Sequence, residues 1–333
     1  MTRPLIRRVA FDIGSLTTKM ITADIDPETN TVVKIIAKDT RKTEYKHDLE
    51  KSSNYGNFSR EMIEKGIQAL KELKNECENL QPQPQEYAAV ATAAFRTAKN
   101  SAAIIEKSLK ELCIPITIIS QAEEAQLGFY GALARTGSDK SKSIVWDVGG
   151  GSMQITTLDA QGKILFYGNT FGFIRFTRDV ITNIEHKDIA KTHSPNPMNR
   201  LNITDALSYA AHLATAIPDF ITHKCAQPGA IIIGIGAVYY ATHEKKEQIS
   251  TIKKYTQSDI LDLLEKKAGR TDLMLTKETH PAIPTTVSVT GLTLILGFMK
   301  QLCIESLTIA EVNLTDGLLV SPTYYNDYAL KKN

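Results

Sequence analysis

The chain has 333 residues, 42% of them hydrophobic and 23% charged, and its 39 basic and 37 acidic residues leave a net charge of +2. Such a length exceeds one comfortable core and predicts two domains, while the balanced charge argues against bulk nucleic-acid binding, so a polyanionic ligand would have to be met by local cations. No apolar run reaches the ~20 residues of a membrane span, no apolar core follows the basic start, and Cys77, Cys113, Cys225 and Cys303 have no CxxC spacing; the expectation is a cytoplasmic protein with buried free thiols and no membrane partner.

In chain order, strands are expected at Arg8–Asp12, Lys19–Asp24 and Val32–Lys38, with a turn at Pro27–Asn30. A polar stretch with Arg41, Lys42, Lys46 and Lys51 follows. Its interspersed Glu44, Asp48 and Glu50 favour a solvated face over a track for an extended polyanion. Ser59 is read as the cap of a helix to about Asn79, with Ile63, Ile67, Leu70 and Leu73 on one face. Then come a strand at Tyr87–Thr92, a helix at Ala98–Leu112, a strand at Ile114–Ile119 and a helix at Ala122–Ala134.

The second half restarts with strands at Ser143–Asp147, Met153–Leu158 and Lys163–Gly168. Residues 176–192 and 203–216 read as helical, with a break at His193–Pro197. A buried strand at Ala230–Gly234 leads into a helix-like run from Ala237. Ser258–Lys267 and Gly291–Glu305 read as helices, the latter capped by Thr290; Ser306–Ala310 reads as a strand, and Asn313–Leu319 opens a closing helix. Strands alternating with helices after an opening hairpin in each half predict an α/β fold.

Those hairpins are built on one plan. Val9–Thr18 reads VAFDIGSLTT and Ile144–Met153 reads IVWDVGGGSM, with Asp12 and Asp147 lying 135 residues apart. Each is an apolar strand ending on Asp, then an aliphatic residue, Gly and small hydroxyl residues, and even the closing Asp24 and Asp159 match. Gly lets a ligand oxygen approach the backbone, and successive N–H groups in such a turn form an anion-binding concavity. Gly14, Ser15 and Thr17, with Gly149, Gly150, Gly151 and Ser152, are therefore candidate phosphate-binding residues. Asp repels phosphate but suits Mg²⁺, which uses one or two carboxylates plus substrate phosphates; Asp12 and Asp147 are the candidate metal residues. One hairpin alone would be an ordinary glycine turn, but two in matching frame suggest related domains facing a phosphate-binding cleft.

A resemblance then becomes specific. Ala91–Asn100, ATAAFRTAKN, resembles the ATSALREAxN segment of the exopolyphosphatase/guanosine pentaphosphate phosphohydrolase (Ppx/GppA) family. Asp12–Ser15 resembles its DIGS loop, Ile119–Ala125 its ISGxEEA, and Asp147–Ser152 its DIGGGS. Gly172–Phe176 resembles GxVRL, and Asn313–Leu319 resembles GLREGLL. The resemblance implies two related actin-like (ribonuclease H-like) domains, at 1–135 and 136–312, with a last helix at about 313–330 returning to the first. It implies Mg²⁺-dependent hydrolysis of a terminal phosphoanhydride of polyphosphate or guanosine pentaphosphate, and it allows a homodimer. Glu124 would assist the attacking water, Glu123 would support the helix start or the metal, and Arg96 and Arg175 would pair with phosphate.

The chain also departs from the family pattern. Gln154 stands where the family has Glu, Leu16 where it has Asn, Ala237 where a Gly-rich GGT segment has Thr, and Thr315–Asp316 where it has Arg–Glu. Gln supplies neither base nor charge. A weak or inactive polyphosphate or alarmone sensor is therefore the alternative. An ATP-dependent kinase of the same superfold is less favoured, because Gly234 and Gly236 are what remains of an adenosine-type glycine segment.

Overall fold

Three strands open the chain as an antiparallel meander: β1 (Ile6–Ile13), β2 (Thr17–Asp26) and β3 (Thr31–Lys42). Two further strands, β4 (Glu86–Ala91) and β5 (Ile116–Ile118), continue the sheet in parallel, in the order β3-β2-β1-β4-β5. The computed structural model describes residues 4–51, 55–244, 252–281 and 283–325. It divides into one unit formed by residues up to Ala134 with those from Asn313 onward, and a second formed by Arg135–Val312.

In the first unit, β1 is buried along nearly its whole length, as expected for a central strand covered on both faces. Val9, Phe11 and Ile13 pack with Leu70, Leu73 and Phe95 on one side. Ala10 packs with Leu127, Leu318 and Leu319 on the other. The helix Arg60–Glu78 begins where Ser59 Oγ accepts a hydrogen bond from Met62 N at 3.1 Å, satisfying one free donor of its first turn. The helix Leu314–Leu319 is set by a capping box between Asn313 and Asp316. Gly317 lets it lie against Leu127, where a Cβ would strike the backbone. Two basic residues inside β1 are tolerated because each is paired, Arg7 Nε with Asp24 at 2.8 Å and Arg8 Nε with Glu86 at 2.5 Å.

The second unit repeats the scheme. Its meander is β6 (Ser143–Val148), β7 (Met153–Leu158) and β8 (Ile164–Asn169). The strand β9 (Ile231–Ile235) lies parallel to β6, β10 (Lys253–Thr256) forms an antiparallel edge, and β11 (Ser306–Ile309) runs parallel to β9. The order β10-β11-β9-β6-β7-β8 is that of the first sheet, β8-β7-β6-β9-β11 read from the other edge, with one strand added. Its core is built on the helix Ser288–Gln301, which is buried from Ser288 through Met299. Trp146 stacks on Phe298 there, with ring centroids 5.4 Å apart. No helix among the described residues is long and apolar enough to cross a membrane.

Several local expectations are corrected. The helix expected from Ala98 starts at Ala102, and Ala93–Thr97 is a separate short turn of helix. Asn100 draws the chain away between them by hydrogen bonding both Phe58 N and Phe58 O. The 176–192 helix is Phe173–Asp179 followed by a π-helical turn at Val180–Ile184; His186, at φ 53°, has left the helix. Thr290 lies inside the long helix rather than at its start, bonded to Thr177 Oγ1 at 2.6 Å. The closing helix ends at Leu319 and a 3-10 turn covers Pro322–Tyr325; the rest of the expected 313–330 helix lies outside the described residues. Cys77 and Cys225 are buried free thiols, but Cys113 and Cys303 are exposed. Both exposed cysteines take positive φ, the left-handed helix-ending conformation more often given to Gly.

Candidate functional site

The two repeated turns close in the same way. Gly14 N donates to Thr17 O at 2.9 Å, and Gly149 N donates to Ser152 O at 2.9 Å. Each Asp sits at the end of its strand, with the residue seven positions later directly across the hairpin: Lys19 opposite Asp12, and Gln154 opposite Asp147. Lys19 was not anticipated from sequence; the equal seven-residue offset is the signal that finds it.

In the first unit, Asp12 is buried and its Oδ1 has no hydrogen-bond partner. Burial pushes its carboxyl up to about 6, Lys19 pulls it down, and Glu124 pushes it up further. Lys19 Nζ is also held by Asn313 Oδ1 at 2.7 Å. Glu124 stands in the first turn of the helix Gln121–Thr136. Arg96 Nη1 reaches Glu124 Oε2 at 3.1 Å and Ile119 O at 2.7 Å. The structure therefore brings Asp12, Glu124, Lys19 and Arg96 together around the Gly14–Ser15 turn. Arg96 is engaged with the candidate base.

Glu123 has a different place. Its Oε2 accepts from Ser120 N at 2.7 Å, and Glu123 N donates to Ser120 Oγ at 3.2 Å. That reciprocal pair is a capping box, so Glu123 supports the helix start. The basic stretch is likewise paired: Arg41 with Asp39, Glu72 and Glu76, Lys42 with Glu44 at 2.8 Å, and Lys51 with Asp48 at 3.3 Å.

In the second unit, the Gly149–Ser152 loop is fastened to the start of the helix Phe173–Asp179. Phe173 N donates to Gly149 O and Ile174 N to Gly150 O, both at 3.1 Å. Gly172 permits this approach, since a Cβ there would lie 2.5 Å from Gly149 O and Gly150 O. Gly151 faces open space. Gln154 Nε2 donates to Ser152 Oγ at 3.0 Å, so the amide braces the loop. Gly236, at φ +98°, passes directly over the Asp147 carboxylate, and Gly234 packs under Tyr239. Arg175 is exposed on the same helix start, its guanidinium 5.5 Å from the Phe171 ring centroid.

The donors suit a hard cation. Asp12 offers a carboxylate oxygen that no protein group satisfies. Among the described residues no group of three or more His, Cys, Asp or Glu is arranged to hold a metal. A buried carboxylate oxygen of the Asp12 kind is a ligand type that Mg²⁺ uses together with substrate phosphates.

The comparisons with known proteins agree with this architecture. The Aquifex aeolicus member of the Ppx/GppA family superposes with a TM-score of 0.73 at 20% identity, covering 99% of both chains. An exopolyphosphatase from Cytophaga hutchinsonii superposes with a TM-score of 0.64 at 18% identity, covering 94% of this chain and 96% of that one. These likenesses show the fold, a two-sheet α/β architecture of the actin-like kind. A bifunctional 3-dehydroquinate synthase/phosphatase of Fusobacterium nucleatum is 28% identical over 179 residues, 53% of this chain and 26% of that protein; the match spans about a quarter of that relative's length. The profile of the Ppx/GppA phosphatase family matches residues 23–325, and the chain belongs to that family.

Proposed function

We propose that the protein hydrolyses the terminal phosphoanhydride of guanosine pentaphosphate or polyphosphate, using the carboxylate group of Glu124. The observation that carries this reading is the grouping of Glu124, Arg96 and buried Asp12 beside the Gly14–Thr17 turn. Backbone N–H groups and the Ser15 hydroxyl of that turn suit phosphate oxygens. Glu124 would orient a water and accept its proton as the water oxygen bonds to the terminal phosphorus and the bridging P–O bond breaks. Arg96 holds the Glu124 carboxylate in place for that proton. Asp12 would hold Mg²⁺, which when bound neutralises phosphate charge.

The test is phosphate release from guanosine pentaphosphate and from polyphosphate with Mg²⁺, for the wild-type chain and Glu124→Gln. A loss of about 10²–10⁴-fold in the variant is expected. Equal release by both proteins would remove Glu124 from the mechanism.

A second reading is a sensor that binds these ligands without turnover. Gln154 favours it, because a neutral amide faces Asp147 across β6–β7 and is committed to Ser152. Binding without release in the wild-type chain, with release appearing in Gln154→Glu, would establish that reading.

A further inference from the structure

The second unit contains a cavity of about 330 Å³ that shares no lining residue with either glycine loop. Its size falls within the roughly 300–1,000 Å³ of small-molecule sites. Three segments wall it: the end of the 3-10 turn Ala237–Thr242, the last turns of the helix Gln257–Lys267, and the stretch that follows the short helix Asp272–Leu275. Lys267 lines the cavity and is only 6% exposed.

The hydrogen bonds of Lys267 leave it one donor and no counter-charge. Its Nζ donates to Ala241 O at 2.8 Å and to Ser288 Oγ at 2.9 Å, and both acceptors are neutral. Ser288 Oγ also accepts from Thr279 Oγ1 at 3.0 Å, so its lone pairs are taken. An ammonium carries three N–H donors, and the third has no acceptor among the described residues. No described carboxylate forms an ion pair with it either. Glu278 is paired with Arg270, and Glu244 and Glu278 act on Lys267 only through longer-range attraction. Buried charges are ordinarily paired, and burial here pulls the ammonium down to about 8. The protein thus supplies a buried cation and a free donor at the wall of a cavity. We propose that this cavity binds a small organic monocarboxylate, one oxygen of which accepts the third N–H of Lys267.

The rim and the wall select that class. Lys266 and Lys277 are exposed at the rim beside the exposed Glu244 and Glu278. Charges of both signs therefore balance there, and the rim offers no net attraction to a second anionic group. A dianion or a polyphosphate chain would bring charge that nothing at the rim neutralises. Half-buried Leu263 gives the wall an apolar surface, against which a short alkyl chain loses contact with water.

The test is titration calorimetry of the full chain with acetate, butyrate and succinate at neutral pH in a carboxylate-free buffer. It is run on the wild type, Lys267→Met and Leu263→Asp. The wild type is expected to bind butyrate about tenfold more tightly than acetate, because two further methylenes are buried. It is also expected to prefer butyrate to succinate, which has the same four carbons but a second charge. Each variant is expected to lose about tenfold or more in butyrate affinity, the first by removing the cation and the second by setting a carboxylate against the ligand. Absence of butyrate binding in the wild type overturns the proposal, as does equal affinity in the wild type and Lys267→Met. Succinate bound more tightly than butyrate, a comparison that needs no variant, overturns the assignment to a monocarboxylate. None of these outcomes bears on the hydrolase reading, whose Glu124 and Gly14–Ser15 turn lie in the first unit.

Discussion

Gly236 lies against the Asp147 carboxylate, so close that a Cβ on it would fall on Oδ1 and on the Val148 carbonyl. The residue also holds φ at +98°, where side chains are costly. Gly236→Ala is therefore expected to destabilise the fold by about 1–3 kcal/mol. It is also expected to displace Asp147, lowering phosphate release more than the loss of folded protein explains. Chemical denaturation together with turnover per folded molecule measures both. A variant with wild-type stability would show that the loop has room the backbone does not suggest.

Arg96 bridges Glu124 and Ile119 O through one nitrogen. Lysine has donors enough for both partners, but its stem ends one atom short of the position of Arg96 Nη1. Arg96→Lys is expected to lower kcat about tenfold or more, with a smaller change in KM, because it loosens the base rather than removing substrate contacts. A change confined to KM would place Arg96 on the phosphate instead.

Glu123 and Glu124 are adjacent but have separate duties. Glu123→Ala breaks the capping box with Ser120, and is expected to cost about 1 kcal/mol of stability. Its kcat should remain near wild type, in contrast to Glu124→Gln. A kcat loss for Glu123→Ala comparable to that of Glu124→Gln would give it a part in the chemistry.

Lys267 is buried, with Nζ donating to Ala241 O at 2.8 Å and to Ser288 Oγ at 2.9 Å. Burial pulls its ammonium down from 10.5 to about 8; Glu278 and Glu244 oppose that shift and Arg270 adds to it. Below pH 8 the lysine is charged in both folded and unfolded chains, and the fold bears the cost of burying it. Between pH 8 and 10.5 the folded chain has released the proton while the unfolded chain still holds it, so stability rises with pH. The unfolding free energy of the wild type relative to Lys267→Met is expected to climb by on the order of 3 kcal/mol across that interval. A flat difference from pH 7 to 10.5 would show that the ammonium is not strained.

The hairpins, the two candidate loops and the alternation of strands and helices were legible in the sequence because each depends on short-range rules. Apolar runs make strands, Asp–x–Gly makes a tight turn, and Ser59 caps a helix wherever the rest of the chain goes. The repeated bond from Gly14 N to Thr17 O and from Gly149 N to Ser152 O follows from residues three apart. Helix boundaries were less legible where distant groups intervene: Asn100 ends one segment by bonding Phe58, 42 residues away. The environment of the candidate site belongs wholly to tertiary structure. Asp12 has its unsatisfied oxygen on a buried strand flanked by β2 and β4. Glu124 meets Arg96 across 28 residues, and Gly236 reaches Asp147 only because β9 pairs with β6. Such contacts arise from strand order and desolvation, and neither is written in any local run of residues.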